Sequence, residues 1–390
     1  MPMSWSGTAA LALVLAVTPF TAARADATAV APLTAAWAEA APPCNPEAGV
    51  QDVSGKPWPQ ERLRFQRVWR LTRGEGVTVA VVDSGVDARH PQLAGAITTS
   101  EDLTGTDQRD CVGHGTAVAG IIAGRDLTSR GVPFLGVAPG ARILSIKQTE
   151  TPDGEVSLLA RGIRRAAELG AKVINVSVEA HDQPELKSAV AYAQSRDAVI
   201  VAAAGNVKRE DGEVTPSFPA DYPGVIAVGA ASPDGTKSAF SNGTTRVSVT
   251  APGSGITSTW TGGGYRTDLD GTSFAAPYVS GVVALVRARH PELDLWQVKR
   301  RVELTAEGGG ATGTGAGLVN PLLAVTAVLP DAVEKAGGGA PVVVAKATAP
   351  DPRTRGLAVG IAGGTVAVTG LVVFAAIMLP RARRRGWRAG

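Results

Sequence analysis

Four polar residues stand where apolar runs meet glycine-rich turns, and their side chains are the types needed for acyl transfer. They are Asp83 in VAVVDSGVD, His114 in GHGTAVAG, Asn206 in AAAGN and Ser273 in GTSFAAPYVSG. A serine hydroxyl becomes a strong nucleophile when an imidazole accepts its proton, and a carboxylate holds that imidazole in the required tautomer. Preorganised N–H donors, such as an asparagine amide, stabilise the oxyanion that forms. The combination predicts catalysis by an activated serine.

Ser273 alone is ambiguous, because serine is also a common residue at the start of a helix. The segment 270–281, DGTSFAAPYVSG, leads into a helix, so Ser273 could cap that helix or act as a nucleophile at the positive end of its dipole. As a nucleophile it would also offer its backbone N–H to the oxyanion. The presence of Asp83, His114 and Asn206 favours the nucleophile.

The elements that must position these residues alternate between buried strands and helices. Such alternation predicts an α/β fold with a mostly parallel sheet and helices on both faces. Functional groups in such sheets lie at the carboxyl ends of the strands. The predicted strands are residues 76–83, 142–147, 172–178, 198–205, 224–230 and 247–253. The predicted helices are residues 115–124, 155–170, 184–196, 273–290 and 294–306, with a short helix over 63–72.

The order Asp–His–Ser, with AAAGN between the second and third motifs, resembles the subtilisin-like serine proteases, or subtilases. The resemblance extends from GEGVTVAVVDSGVD to GAGLVNPLLAV and implies a peptidase domain over residues 74–328. It implies a subtilisin-like fold in which Ser273 is the nucleophile and His114 is the general base and acid. Asp83 would then be the orienting carboxylate, and Asn206 would be the oxyanion donor.

The two ends of the chain predict export and membrane anchoring. An apolar run followed by ARA predicts a signal peptide over residues 1–25, although no basic residue precedes the run, and a membrane anchor is the alternative. The uncharged segment 356–379 would span about 36 Å as a helix and could cross a bilayer once; the alternative is a buried helix. The arginines of the tail 380–390 place that end in the cytoplasm and the peptidase domain outside. Residues 329–355 have the composition of a linker.

Residues 26–73 form a short extension that contains Cys44, and Cys111 lies in the body of the chain. In an exported chain two cysteines favour a disulfide, with two free thiols as the alternative. With its predicted signal peptide and C-terminal anchor, the chain is similar to the mycosins, the membrane-anchored subtilases associated with type VII secretion. This resemblance implies an extension that wraps the domain and a secretion machinery as partner. The chain lacks the cysteines for the second disulfide common in mycosins.

The resemblance also indicates where a substrate peptide would bind. Ser177, Val178 and Glu179 follow the VIN strand, and Gly154 lies in the segment 150–156 across the cleft. Both segments could offer backbone hydrogen bonds to an extended peptide. Subtilases usually have glycine where Glu179 stands. This carboxylate either narrows the primary pocket or favours a basic or polar residue there; the alternative is that it points to solvent.

These features predict a membrane-anchored serine endopeptidase that cleaves exported proteins and is linked to type VII secretion. One alternative is a structural component of a membrane secretion complex with secondary or absent proteolysis, and another is a broad degradative protease at the cell surface. No acidic loop or His/Cys cluster has the spacing of a metal site, so neither a metal nor another cofactor is predicted. The net charge of +3 arises largely at residues 381–388, so the body gives no indication of nucleic-acid binding.

Overall fold

The structure is a computed structural model that describes Cys44 and residues 46–151, 154–207 and 214–330. Within these residues, no helix combines the length and the apolar character that crossing a membrane requires. Several predicted segments lie outside the described residues: the signal peptide 1–25, residues 26–43 of the extension, nearly all of the linker, the apolar segment 356–379 and the basic tail 380–390.

Helices and strands alternate through the described chain. The helices are α1 (Trp58–Leu63), α2 (His114–Ala123), α3 (Val156–Glu168), α4 (Pro184–Ser195), α5 (Thr272–Arg289), α6 (Leu295–Leu304) and α7 (Pro321–Thr326). The strands are β1 (Thr78–Asp83), β2 (Ile97–Asp102), β3 (Arg142–Lys147), β4 (Val173–Val176), β5 (Val199–Ala203), β6 (Ile226–Ala231), β7 (Val249–Pro252), β8 (Ile256–Thr259), β9 (Tyr265–Leu269), β10 (Glu307–Gly308) and β11 (Gly317–Leu318).

The main sheet has the strand order β10-β11-β7-β6-β5-β4-β1-β3-β2. Its pairings are parallel apart from the short antiparallel pair β10–β11. Strands β8 and β9 form a separate antiparallel ribbon. The predicted α/β class with a mostly parallel sheet is confirmed.

Strand β1 lies near the middle of the sheet, and its side chains alternate between two apolar cores. Val79 and Val81 pack in the core that contains α2 and α5, whereas Ala80 and Val82 pack in the core that contains α3 and α4. A strand buried on both faces needs apolar residues at every position, which explains the continuous run TVAVV. Because helices cover both faces, polar groups gather at the carboxyl edge of the sheet, where Asp83 ends β1.

Three features differ from the sequence prediction. The helix expected over 63–72 is two pieces, because Arg64 adopts a left-handed conformation (φ 48°) between α1 and a 3₁₀ helix at Phe65–Arg70. Strand β2 was not predicted, since its sequence ITTSED forms a partly exposed sheet edge without an apolar run. The ribbon β8–β9 was not predicted either, because three of the five residues of β9 are exposed.

Candidate active site

The candidate active site is a cleft of about 430 Å³ at the carboxyl edge of the main sheet. Its lining includes Asp83 at the end of β1, His114 at the start of α2, Asn206 after β5 and Ser273 in the first turn of α5. The structure therefore brings together the four residues that the sequence analysis selected. Two of them lie at the carboxyl ends of the parallel strands β1 and β5, and the other two lie at the starts of helices α2 and α5.

Asp83 and His114 form a hydrogen-bonded pair. His114 Nδ1 lies 2.8 Å from Asp83 Oδ1, and the Ser84 backbone N–H also donates to that oxygen at 2.8 Å. The Asp83 side chain is 1% exposed and that of His114 is 22% exposed, so the carboxylate is buried while the imidazole reaches the cleft. A carboxylate at Nδ1 holds the proton there and leaves Nε2 free as a proton acceptor.

The surroundings of His114 raise the pKa of its imidazole. Burial disfavours the charged ring, but the negative charge and hydrogen bond of Asp83, together with the charge of Asp110, outweigh that effect and raise the pKa of His114 above 6.5. The imidazolium that forms when His114 accepts a proton is therefore stabilised. This is the electrostatic arrangement that a general base requires.

Asp110 is a second buried carboxylate, and it fixes the start of α2. It accepts hydrogen bonds from the backbone N–H groups of Val112, Gly113 and Thr116 and from two hydroxyl groups, those of Ser84 and Thr116. Burial raises the pKa of Asp110, while these donors oppose the shift. The sequence analysis missed this residue, although an aspartate shortly before a helix is a common capping signal.

Ser273 is the second residue of α5, and the position preceding the helix is occupied by Gly271. The alternative that Ser273 merely caps the helix is therefore wrong. Ser273 is the sole residue between Thr272 and Arg287 that is not buried. Its backbone N–H has no hydrogen-bond partner among the described residues. A half-buried serine with an unused backbone N–H donor is the arrangement that a nucleophile and its oxyanion site require.

Asn206 is held so that its amide NH₂ group remains available. The Thr272 backbone N–H and hydroxyl both donate to Asn206 Oδ1, at 3.0 and 3.2 Å. Because those two donors occupy the oxygen, the nitrogen Nδ2 is left for a ligand in the cleft. Thr272 is thus a positioning residue that the sequence analysis did not select. Its place next to Ser273 was the available signal.

Ser177, selected as a substrate-binding residue, also holds α5 in place. Pro277 has no N–H, so the carbonyl of Ser273 four residues earlier loses its helical partner. The Ser177 hydroxyl donates to that carbonyl at 2.8 Å. Asn175 in turn donates to Ser177 Oγ and accepts from Ser280 Oγ, both at 2.8 Å. This buried polar network ties β4 to the helix that carries the candidate nucleophile.

Comparison with known proteins identifies the family to which this arrangement belongs. The Subtilase family, Peptidase S8, matches residues 74–331. The chain belongs to the subtilase family. It is therefore a serine peptidase with an α/β subtilisin fold.

This subtilase is similar to several mycosins. It is 35% identical to Mycosin-1 of Mycolicibacterium smegmatis over 389 residues, covering 84% of this chain and 85% of the relative. It is 36% identical to Mycosin-4 of Mycobacterium tuberculosis over 371 residues, covering 82% and 81% of the two chains. The solved structure of the MycP3 protease from the type VII (ESX-3) secretion system superposes with a TM-score of 0.64 at 35% identity, covering 72% of this subtilase and 91% of MycP3.

The predicted substrate-binding residues occupy two neighbouring parts of the cleft in this subtilase. Ser177, Val178 and Glu179 line the main cleft together with Asn206. Gly154 lies instead in a smaller adjoining recess that Val178 and Glu179 also line, next to the side chain of Gln148. The segment around Val178 and Glu179 therefore separates the two recesses.

Cys44 and Cys111 form a disulfide, which attaches the extension three residues before His114. The extension makes further contacts beside the cleft, since Trp260 Nε1 donates to the Glu47 carbonyl and Val50 pairs with Tyr265. Among the described residues, no group of three or more His, Cys, Asp or Glu side chains could hold a metal ion.

Proposed function

We propose that this subtilase is an endopeptidase in which Ser273 is the nucleophile and His114 is the general base and acid. Asp83 orients the imidazole, and Asn206 Nδ2 with the Ser273 backbone N–H binds the oxyanion. The observation that carries the proposal is the Asp83–His114 hydrogen bond of 2.8 Å beside the unburied hydroxyl of Ser273 in one cleft.

The reaction follows from these positions. Ser273 Oγ attacks the carbonyl carbon of the scissile peptide bond while His114 Nε2 accepts the hydroxyl proton. The carbonyl oxygen becomes an oxyanion held by the amide of Asn206 and the backbone N–H of Ser273. His114 then donates its proton to the leaving amine, and an acyl-enzyme remains. Water attacks that ester with His114 again as the base, which releases the acid product and restores Ser273.

The proposed setting is outside the cell, at a membrane, with exported proteins as substrates. The apolar run that precedes ARA within residues 1–25 supports export, and the uncharged segment 356–379 with the basic tail 380–390 supports a single membrane anchor. Similarity to mycosins, and to a protease from a type VII secretion system, supports a link to secretion of that type.

Labelling with a fluorophosphonate probe tests the catalytic assignment, because the probe reacts covalently with an activated serine. Membranes that contain the full chain should be labelled, and Ser273→Ala should abolish that labelling. Ser195→Ala is the matched control, since Ser195 is an exposed serine at the end of α4. Labelling that persists in a folded Ser273→Ala variant, or is absent from the folded wild type, would contradict the proposal.

A complementation experiment distinguishes the endopeptidase from the alternative, a structural component of a membrane secretion complex. A strain that lacks the chain is supplied with the wild type or with Ser273→Ala, and secretion of the exported proteins is measured. Loss of substrate cleavage with normal secretion in the Ser273→Ala strain would assign secretion to the scaffold and cleavage to the active site. Loss of both would assign both to catalysis.

A further inference from the structure

A recess beside Asn206 is the part of the cleft next to the oxyanion donor. Ser177 and Glu179 line one side of it, and Ala203, Gly205 and Asn206 line the other. A peptide whose carbonyl oxygen is held by Asn206 brings the residue that owns that carbonyl against this recess. Its side chain, immediately N-terminal to the scissile bond, is then the part of the substrate that the recess receives.

Glu179 places a carboxylate in this recess. Its Oε2 lies 3.4 Å from the backbone nitrogen of Asn206. Gly205, in a left-handed conformation (φ 92°), has no Cβ, and a Cβ there would lie only 2.6 Å from Glu179 Oε2. The glycine therefore makes the space that the carboxylate uses. Glu179 is an exposed residue, but its carboxylate lies at this recess, so the geometry supports the alternative in which the side chain enters the pocket region.

The carboxylate of Glu179 is not neutralised within the described part of the chain. The ion pairs found there do not involve Glu179. Arg266 also lines the cleft, but its guanidinium lies over the Trp260 ring, 4.8 Å from the ring centroid, and pairs with Glu47 at 3.6 Å. The recess thus offers an acidic group to an incoming side chain.

We infer that Glu179 selects peptides that carry lysine or arginine immediately before the scissile bond. The inference rests on the proposed function, because it requires Ser273 and Asn206 to define the reacting carbonyl. A lysine ammonium or arginine guanidinium has several donors and no acceptor, which matches a carboxylate.

The test measures kcat/KM of the purified full chain on internally quenched peptides that differ only in the residue before the scissile bond. Lysine and arginine are compared with methionine, a neutral residue of similar length. The wild type should prefer the basic peptides by about 10- to 100-fold, the range that a hydrogen bond to a charged group supports. Glu179→Gln should bring this ratio near one while leaving the methionine peptide within about twofold.

A matched charge variant sharpens the result. Glu185→Gln removes an equal charge from the exposed first turn of α4, outside the cleft, and should keep the full preference. Thermal unfolding of each variant verifies that it is folded.

The possible failures are distinguishable. A wild type that cleaves the methionine peptide as well as the lysine peptide, or a folded Glu179→Gln variant that keeps the preference, overturns the inference and leaves the proposed function standing. If the folded wild type cleaves no peptide and Ser273 is not labelled by the fluorophosphonate, both the inference and the proposed function fail.

Discussion

The helices α2 and α5 both begin at the cleft after a glycine without a side-chain cap, yet their free N–H groups are used differently. At α2, Asp110 and the Ser84 hydroxyl accept the N–H groups of Gly113, Gly115 and Thr116. At α5, the N–H of Ser273 has no partner among the described residues. One helix start is closed by a carboxylate, and the other is open.

The difference follows from the charge that each end meets. In the proposed mechanism His114 becomes positive during the reaction, and a buried carboxylate at the start of its helix stabilises that charge. In the same mechanism Ser273 lies beside a developing oxyanion, so the positive end of α5 and its free N–H are left for the substrate. A carboxylate at α5 would compete for that site.

The largest predicted effect tests whether the two helix ends act as one unit. Ser273→Ala and His114→Ala should each reduce kcat by about 10⁴- to 10⁶-fold, and the double variant should lose little more than either single variant. The reason is that the hydroxyl is not activated without the imidazole. The three rates are measured as hydrolysis of a peptide, and each is divided by the concentration of folded enzyme. Losses that multiply in the double variant would show that the two ends contribute independently.

The open end at α5 is tested next by Asn206→Leu, which keeps the volume of the side chain but removes the amide. We expect kcat to fall by about 10²- to 10³-fold with KM little changed, because the donor acts mainly on the oxyanion. Thr272→Ala should cost less, about tenfold, since the amide remains but loses one orienting contact. A change confined to KM for Asn206→Leu would place the amide in substrate binding instead.

The closed end at α2 is tested by Asp110→Asn. Asparagine keeps one acceptor oxygen, but its NH₂ group would face N–H and O–H donors that now bond to a carboxylate. We expect the free energy of unfolding to drop by about 2–4 kcal/mol, measured by urea denaturation. The control is Asp126→Asn, whose carboxylate caps a short exposed turn at Thr128 and should cost less than about 1 kcal/mol. Equal losses of unfolding free energy in the two variants would show that burial of the accepting carboxylate makes no difference.

The sequence predicted the part of the site that depends on residue type and on strand ends. Val-rich runs buried on both faces marked β1, β4 and β5; Asp83 ends the first, Ser177 follows the second, and Asn206 lies shortly after the third. A parallel sheet places those strand ends together at one edge, whereas His114 and Ser273 lie at helix starts whose positions depend on the preceding loops. The strands that were not predicted, such as β2, lie at sheet edges or on the surface, where the alternation of apolar and polar residues is weak.

The supporting contacts could not be predicted, because they join residues that are far apart in sequence and depend on loop conformation. Ser177 satisfies a carbonyl 96 residues away, and this need arises only because Pro277 sits at the sixth position of α5. The link between Glu179, Gly205 and Ser217 likewise depends on a left-handed glycine that brings three segments together.

The smallest predicted effect concerns pH and the closed end at α2. Since catalysis requires neutral His114 and its pKa is raised, kcat/KM should fall as the pH decreases through a value above 6.5. Asp110→Asn removes one of the charges that raise this pKa, so the inflection of the kcat/KM profile should move to lower pH.

As the pH rises, the stability contributed by His114 should decrease while kcat/KM increases. The stabilisation that protonated His114 gains from Asp83 is complete below about pH 6.5, the value of an unfolded histidine, and is lost as the pH rises through the higher folded pKa. His90 gives an internal control, because burial lowers its pKa below 6.5. NMR titration of the two imidazoles should therefore show His114 above and His90 below the ordinary value. A downward shift of His114 would mean that burial outweighs the two carboxylates, and the closed helix end would then have no electrostatic role.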